Sequence, residues 1–337
     1  MLAKDQYLAY LNKVLGVLKE VKTRFGRFIL LTVFLTPLLT MMALAWISPV
    51  VLTIYLSFTD LNIQNLLTFN VRLTLENFGK IFKYDPFVPE VLRITVMYVT
   101  SVLFINAIYS LILSIVLAYL IRNEFLSIFL RVSWLIPRIT PGIIYALMWN
   151  WFIDPRSGLL NPLLQALGVP AEWLPRSWLL QKPYSQLLMI IVNGYVGASF
   201  GMIVYTAAIK SVPDDIIHAA KVDGASDLQV ARHIIIPLLK WPILFVTAWQ
   251  TLSLMASYEQ ILMIWGSGGG GGYRGITRAA GVTVWALYSY TKAFDDFEYG
   301  YASALSLLLV IIGIALIILY FKIFGFRRLM EPSRVEV

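Results

Sequence analysis

Polar side chains that could bind a solute lie inside two long apolar runs of the sequence, residues 185–209 and 242–264. A polar group in such a run is costly unless it faces a cavity or a partner helix. Each one therefore has two open interpretations, a position in a solute pathway or a hydrogen bond between helices. Gln250, Ser253 and Ser257 have the spacing of one helix face, which predicts a semi-polar stripe. The full set is Asn193, Ser199, Thr206, Gln250, Thr251, Ser253, Ser257 and Glu259.

Residue types that carry out catalysis or bind metals are scarce. The chain has no cysteine, and its two histidines, His218 and His233, fall on different predicted helices and supply too few metal ligands. No paired carboxylates and no Ser-His-Asp set occur in the apolar runs. The glycine run 268–272 lacks the lysine that follows a phosphate-binding loop. We expect no enzymatic activity, and neither a metal nor a cofactor on this chain.

The composition indicates a membrane protein. Of 337 residues, 59% are hydrophobic and 14% are charged, whereas soluble domains average about 45–50% and about 25%. Apolar runs of about 18 or more residues can cross a bilayer as helices, so the sequence predicts an all-α membrane bundle with six transmembrane helices. The predicted spans lie near 28–57, 93–121, 132–153, 185–209, 242–264 and 301–324. Pro37 and Pro49 predict a kink in the first of them.

The lysine and arginine residues predict the orientation of these spans. With a cytoplasmic N-terminus, 16 of the 27 fall in inner segments and nine fall in the longer outer loops. This bias satisfies the positive-inside rule for an even number of spans with both termini cytoplasmic. It also accounts for the net charge of +8 without a nucleic-acid partner.

Two ionisable side chains in the predicted spans have more than one interpretation. Arg138 lies in the third span, about two turns from its predicted inner end, where its long side chain can reach the headgroups. The alternative role for Arg138 is the binding of an anion. Glu259 lies near the outer end of the fifth span, where we expect a gate or an interface.

The first 27 residues form a charged, amphipathic segment. Tyr7, Leu11 and Leu18 share one helical stripe, and lysines occupy the other face. We expect a helix that lies on the inner leaflet or packs against protein. The predicted domains are a cytoplasmic helix at 1–27, a transmembrane domain at 28–325 and a cytoplasmic tail at 326–337.

The segment between the fourth and fifth predicted spans, 211–240, contains regular helix signals. Pro213 suits a first helical position, and Gly224 suits a C-terminal stop. Ser226 and Gln229 have the spacing of a capping box, and the helix that they begin is predicted to end before Pro237. The small apolar face of these two helices suits docking of another surface, although an amphipathic hairpin resting on lipid is an open alternative.

The same segment resembles a family motif. His218-Ala219-Ala220-Lys221-Val222-Asp223-Gly224-Ala225, followed by Ile236-Pro237, resembles the EAA loop of binding-protein-dependent ABC importer permeases. In that family the loop carries a coupling helix that sits in a cleft of the cytoplasmic ATPase. The resemblance implies ATPase contacts at His218, Ala219, Ala220, Asp223, Gly224, Ala225 and Pro237. Two departures are His218 in place of the usual glutamate and Arg232 in place of an aromatic residue.

The resemblance extends over nearly the whole chain after residue 27. Segments that follow the pattern of carbohydrate-type members include Ser57-Phe58-Thr59-Asp60, Trp149-Asn150-Trp151 and Gly300-Tyr301-Ala302-Ser303-Ala304. By similarity to the maltose-type subunit, the sugar-contacting positions are Tyr195, Val196, Gly197, Phe200, Gln250, Ser253, Leu254 and Ser257. Only Gly197 keeps the residue identity, which implies a similar site for a different sugar.

The resemblance implies a permease subunit of an ATP-driven importer for a sugar or oligosaccharide, in a prokaryotic cytoplasmic (inner) membrane. The implied partners are a second related permease, two ATPase subunits that hold ATP and Mg, an extracytoplasmic solute-binding protein and membrane lipid. The alternatives are an ABC permease for a polyol or glycerol phosphate, or a secondary transporter driven by an ion gradient. A secondary transporter predicts carboxylates near mid-membrane and an inverted repeat, and neither is clear in this sequence.

Overall fold

The computed structural model describes Gly26 and residues 31–266 and 272–324. Within those ranges the chain is helical, and its β structure is a single bridge between Thr59 and Leu73. The predicted all-α class is therefore confirmed for the described part of the chain. Apart from Gly26, the predicted N-terminal helix 1–27 and the tail 326–337 lie outside the described residues.

The helices are numbered in chain order from the first described span. They are α1 Leu31–Ser57, α2 Ile63–Thr68, α3 Glu76–Gly79, α4 Val88–Leu120, α5 Glu124–Ile139, α6 Gly142–Phe152, α7 Leu160–Ala166, α8 Tyr184–Lys210, α9 Asp214–Val222, α10 Asp227–Leu238, α11 Lys240–Ala256, α12 Glu259–Gly266, α13 Gly272–Ala280, α14 Trp285–Phe294 and α15 Tyr299–Phe324. By length and composition, α1, α4, α8 and α15 can each cross a membrane. These four helices match the first, second, fourth and sixth predicted spans.

The third and fifth predicted spans are not continuous helices. The third divides into α5 and α6 at Thr140, whose extended ψ of 129° is the conformation that a following proline, Pro141, imposes. In the fifth, α11 ends at Ala256 and Ser257 is extended before α12 begins. The pair α10 and α11 is bent by 66° and counts as a fifth candidate span.

Helix α1, except for its last residue Ser57, belongs to a compact unit that ends at Leu56. Pro37 and Pro49 both lie inside this helix, where the sequence predicts a kink. The helix contains a π-helical turn over Ala43–Ile47, directly before Ser48 and Pro49. A wider turn of this kind is a common way for a helix to absorb a local defect in its hydrogen bonds.

In the second unit, which begins at Ser57, helices α4 and α8 pack at very short range. Gly194, Gly197 and Gly201 of α8 lie against Ile105, Asn106 and Ser110 of α4. A Cβ on Gly201 would lie 2.7 Å from the backbone oxygen of Asn106. Small residues permit such an approach, which is the usual basis of helix association in lipid.

Two hydrophobic clusters extend this contact toward the two ends of α8. One includes Tyr98, Met189 and Trp265, all fully buried. The other includes Tyr205 of α8 and Ile235 of α10, and it holds the 211–240 segment against α8. Both ends of α8 are therefore supported by neighbouring helices.

A polar cluster joins α14 and α15 to the segment that precedes α4. The hydroxyls of Tyr288 and Tyr301 donate hydrogen bonds of 2.5 and 2.6 Å to Asp85 Oδ2. The backbone N–H of Phe87 donates to Asp85 Oδ1 at 2.9 Å. Burial of the carboxylate opposes its ionisation, but these hydrogen bonds and the charge of Lys292 outweigh the burial, so the pKa of Asp85 lies below its ordinary 3.8.

We predict that Gly201→Ala destabilises the helix bundle, because the added methyl group meets the α4 backbone. The expected cost is about 1–3 kcal/mol of unfolding free energy, measured by thermal unfolding in detergent. Gly79→Ala is the matched control, since Gly79 has a helical φ of −60° and nothing lies within 4 Å of its Cβ position. An unchanged unfolding temperature in Gly201→Ala would contradict the short-range packing of α4 and α8.

We also predict that Asp85→Asn lowers the unfolding temperature at neutral pH. A lowered folded-state pKa means that ionised Asp85 stabilises the fold above about pH 4 and that this contribution is lost as the pH falls through the folded-state value. The difference between wild type and variant should therefore shrink in acid, measured by thermal unfolding from about pH 7 to about pH 3. Glu172→Gln, a change of an exposed residue between α7 and α8, is the control and should show no such trend. A difference that stays constant with pH would contradict the ionic role of Asp85.

Candidate functional site

An open aromatic face lies where α8 and α11 meet. Phe200 of α8 lies 6.2 Å from both Phe245 and Trp249 of α11, measured between ring centroids. The rings of Phe245 and Trp249 are 6.5 Å apart and nearly parallel, with an interplanar angle of 23°. Their side chains are 50% and 54% exposed in this chain. Flat aromatic surfaces of this kind suit the apolar face of a sugar ring.

Arg138 lies beside this face. Its guanidinium carbon is 5.3 Å from the centroid of the Phe200 ring, within the range of a cation–π contact. Phe200 is ten residues before Lys210 at the C-terminal end of α8, a distance of about 15 Å along the helix. The contact therefore lies within the membrane-spanning part of α8.

The expectation that Arg138 reaches the headgroups stays a prediction, but its place in the helix differs from the predicted one. The predicted position, about two turns from the inner end, assumed a helix that begins at residue 132. Helix α5 begins at Glu124, which places Arg138 in its last turn, about four turns from its start. Within the described residues, the guanidinium of Arg138 contacts the ring of Phe200.

Tyr195 lines a different part of the surface, a cavity of about 550 Å³ between α5, α6 and α8. The ring centroids of Tyr195 and Trp134 lie 5.0 Å apart, and the two rings are packed edge to face. Tyr145 of the same cavity donates a hydrogen bond of 2.9 Å to the backbone oxygen of Val192. Thus Tyr195 and Phe200, five residues apart on α8, face different neighbours. Other residues that line the cavity are Pro137, Thr140, Trp149 and Phe152.

Several predicted pathway residues pack inside the chain instead. Gln250 is 5% exposed, and its side-chain nitrogen donates a 2.8 Å hydrogen bond to the backbone oxygen of Gly197. Leu254 is 6% exposed and belongs to the hydrophobic core. Ser257 accepts a hydrogen bond of 3.4 Å from the Tyr98 hydroxyl. For Gln250 the structure matches the helix–helix hydrogen bond that the sequence left open as an alternative.

The open face of α11 lies on a different side of the helix from the predicted semi-polar stripe. Phe245, Trp249 and Ser253 are exposed and lie four residues apart, so they share one side of the helix. Of the predicted stripe, only Ser253 belongs to this side. The spacing of two aromatic residues and a serine at i, i+4 and i+8 was the available signal for the open face.

The 211–240 segment forms the predicted pair of helices, α9 and α10. Gly224 has a left-handed φ of +86°, which favours glycine at this turn. The predicted capping box is present, because the Ser226 hydroxyl accepts from the backbone N–H of Gln229 and the Gln229 side chain accepts from that of Ser226. The predicted end before Pro237 was wrong: α10 continues to Leu238, and a π-helical turn over Ala231–Ile235 precedes the proline.

The predicted ATPase-contacting residues divide into two groups in this hairpin. Ala220 and Ala225 are half-buried and pack on the hydrophobic cluster around Tyr205 and Ile235. The exposed ones are His218, Ala219, Asp223, Gly224 and Pro237. Val222 and Leu228, two apolar residues outside the predicted set of ATPase contacts, are 87% and 77% exposed beside them. The hairpin therefore presents an uncovered apolar surface in this chain.

A polar tether joins the hairpin to the end of α4. Lys221 forms an ion pair with Asp227, and the Tyr119 hydroxyl donates a 2.9 Å hydrogen bond to Asp227 Oδ1. The Lys221 ammonium also lies 5.9 Å from the Tyr119 ring centroid. The three residues come from three helices, so helix signals in the sequence did not reveal this contact. Through it, the hairpin is attached directly to a membrane-spanning helix.

The model of a known protein family matches most of the chain. Residues 110–334 match the model of the family described as "Binding-protein-dependent transport system inner membrane component". This match spans both α8 and the hairpin of α9 and α10.

Several curated proteins are similar over much of their length. The probable ABC transporter permease protein PH1215 of Pyrococcus horikoshii is 29% identical over 297 residues, which cover 88% of this chain and 96% of that protein. The probable ABC transporter permease protein YesP of Bacillus subtilis is 28% identical over 289 residues, covering 85% and 88%. The trehalose/maltose transport system permease protein MalF of Thermococcus litoralis is 30% identical over 201 residues, covering 59% and 63%.

Solved structures share the fold. A chain of a bacterial alginate ABC transporter, in complex with an alginate pentasaccharide-bound periplasmic protein, has a TM-score of 0.77 at 17% identity and covers 92% of this chain and 98% of that chain. A chain of a bacterial ABC transporter involved in the import of alginate has a TM-score of 0.76 at 18% identity, with 93% and 100% covered. With the family match over two thirds of its length, this chain belongs to the family of inner-membrane permease components of binding-protein-dependent ABC transport systems.

Proposed function

We propose that this chain is the permease subunit of an ATP-driven importer for a sugar or oligosaccharide and forms half of the translocation pathway. The observation that carries the solute class is the open aromatic face of Phe200, Phe245 and Trp249. Stacked, accessible rings bind the apolar faces of pyranoses, and the exposed Ser253 next to them can exchange hydrogen bonds with hydroxyl groups. The names of relatives, such as the trehalose/maltose permease of Thermococcus litoralis, support the same class.

In this proposal six segments cross the cytoplasmic membrane, and both termini are cytoplasmic. Helices α5 and α6 together form the third span, and α11 with α12 forms the fifth. Interrupted helices are tolerated at membrane depth where they line a cavity or are covered by protein. The cavity beside Tyr195, which both α5 and α6 line, fits that condition.

The hairpin of α9 and α10 is the proposed docking element for the ATPase. Its support is the exposed apolar pair Val222 and Leu228, next to the exposed motif residues His218, Asp223 and Gly224. ATP and Mg would be held by two ATPase subunits, and this chain would act as a transport subunit without an ATPase site of its own. His218 would make a different contact from the glutamate that the family usually has.

The path of the proposed coupling runs from the hairpin into α4. Closure of the ATPase pair on ATP would move the hairpin, and the tether of Tyr119, Lys221 and Asp227 would pass the motion to α4. Because α4 packs tightly on α8, the pathway residues of α8 would move with it. The spans would then alternate between inward-open and outward-open states.

The remaining proposed partners lie beside and outside the membrane. A second, related permease would face the open sides of α8 and α11 and complete the pathway. An extracytoplasmic solute-binding protein would deliver the sugar to the outer loops, as the alginate structure with its periplasmic protein illustrates for that transporter.

We predict that Gly224→Asp uncouples transport from ATP hydrolysis while membrane insertion is retained. Nothing lies within 4 Å of the Cβ position, so the effect arises from the strained φ of +86° and from a new charge on the docking surface. Uptake and ATPase activity are measured in proteoliposomes of the whole importer. Gly168→Asp is a close control, because Gly168 also has a left-handed φ, +89°, and open space, but lies in an outer loop. Normal uptake by Gly224→Asp would reject the coupling role.

We predict that Tyr195→Ala raises the solute concentration needed for half-maximal uptake several-fold and leaves the basal ATPase rate nearly unchanged. The reason is that the ring lines the cavity and, within the described residues, makes one aromatic contact, with Trp134. Uptake as a function of solute concentration is the measurement. Phe129→Ala, which removes a 58% exposed ring elsewhere on α5, is the control and should transport normally. Equal uptake curves for wild type and Tyr195→Ala would remove Tyr195 from the pathway.

A further inference from the structure

We propose that the transported sugar carries an oxyanion, a carboxylate or a phosphate, and that Arg138 binds it beside the aromatic face. The inference rests on the proposed function, because it assigns a ligand to the same pathway. It starts from the charge of Arg138, from the contact that holds its guanidinium, and from the rings next to it.

Arg138 is a cation without a carboxylate partner in the described chain. The salt bridges among the described residues join other groups, namely Lys182 to Glu90, Lys221 to Asp227, and Lys292 to Asp296 and Glu298. An arginine side chain carries a positive charge in proteins. An ionised side chain at membrane depth is costly unless it pairs with an opposite charge or faces water. Arg138 is exposed in this chain, so an anion supplied from outside the chain can reach it.

The contact with Phe200 prepares the guanidinium for such an anion. The cation rests over the ring with its central carbon 5.3 Å from the centroid. A guanidinium that contacts a ring can keep the N–H groups at its edge for other partners. No oxygen of the described residues accepts a hydrogen bond from Arg138, so this edge is available. A carboxylate or a phosphate matches two parallel N–H groups of that edge.

The adjacent rings indicate that the anion belongs to a sugar. Phe200 contacts both groups, because its ring centroid lies 5.3 Å from the Arg138 guanidinium carbon and 6.2 Å from the Trp249 ring centroid. A pyranose stacked on Trp249 or Phe245 would bring a substituent to the guanidinium, with Ser253 one turn further along α11. A neutral sugar would stack on the rings and leave the Arg138 charge unpaired. An acidic sugar would stack on the rings and also pair with Arg138.

The test compares matched sugars in the assembled importer, reconstituted in nanodiscs of neutral lipid with its second permease and ATPase subunits. The probes are digalacturonate against galactobiose, and glucose 6-phosphate against glucose, with affinities from equilibrium binding. We expect wild type to bind the anionic member of at least one pair about tenfold or more tightly, the preference typical of a charge-assisted hydrogen bond. Arg138→Gln should abolish that preference. Arg138→Lys keeps the positive charge but lacks the paired N–H groups of the guanidinium, so it should retain part of the preference.

Two control variants separate this inference from the proposed function. Arg131→Gln removes a cation of the same helix whose Nε donates to the Ser127 backbone oxygen, and it should leave the preference intact. Trp249→Leu should weaken the anionic and the neutral sugar equally, because it removes the stacking surface and leaves the charge.

The outcomes are distinct. Equal affinity for both members of each pair in wild type, or an unchanged preference in Arg138→Gln, overturns the inference and leaves the sugar pathway in place. Impaired assembly of Arg138→Gln with the second permease, without a change in preference, overturns it by assigning the partner charge to that subunit. If the importer binds none of the four sugars, and Trp249→Leu also leaves uptake unchanged, both proposals are overturned.

Discussion

The short-range packing of α4 against α8 is the contact on which the other functional features depend. Lipid gives no hydrophobic gain for bringing two apolar helices together, so close van der Waals contact must hold them. This close contact is permitted by the absence of side chains at Gly194, Gly197 and Gly201, where Asn106 and Ser110 approach. With this side of α8 occupied, Tyr195 and Phe200 face the cavity and the aromatic face respectively.

The same helix pair connects the proposed ATPase-docking hairpin with the proposed solute pathway. At the end next to the hairpin, Tyr119 of α4 binds Asp227 of α10, and Tyr205 of α8 packs in the cluster that includes Ile235. A displacement of the hairpin therefore acts on both helices at once. Rigid packing of this kind favours movement between discrete arrangements over gradual deformation. The polar cluster around Asp85 is a separate attachment, which connects α14 and α15 to the start of α4.

Much of the architecture was predictable from the sequence, because its signals are local. Apolar runs located α1, α4, α8 and α15, and the capping box and Gly224 located the hairpin. Two spans were predicted as continuous although Pro141 and the extended Ser257 interrupt them. The pathway was predicted only in part. Phe200 and Ser253 are accessible, Gln250 and Leu254 are buried, and the exposed Phe245, Trp249 and Arg138 were not in the predicted sugar-contacting set.

By itself the sequence determined which segments are helical and apolar, where the hairpin turns, and which family motif it carries, since each depends on residues close together in the chain. Only the tertiary structure decided which side of each helix is open. That side depends on how a helix is rotated about its axis, and for α8 the rotation follows from the glycine contact with α4. The meeting of Arg138 with Phe200, and of Asp85 with Tyr288 and Tyr301, depends on the same rotations between helices distant in sequence.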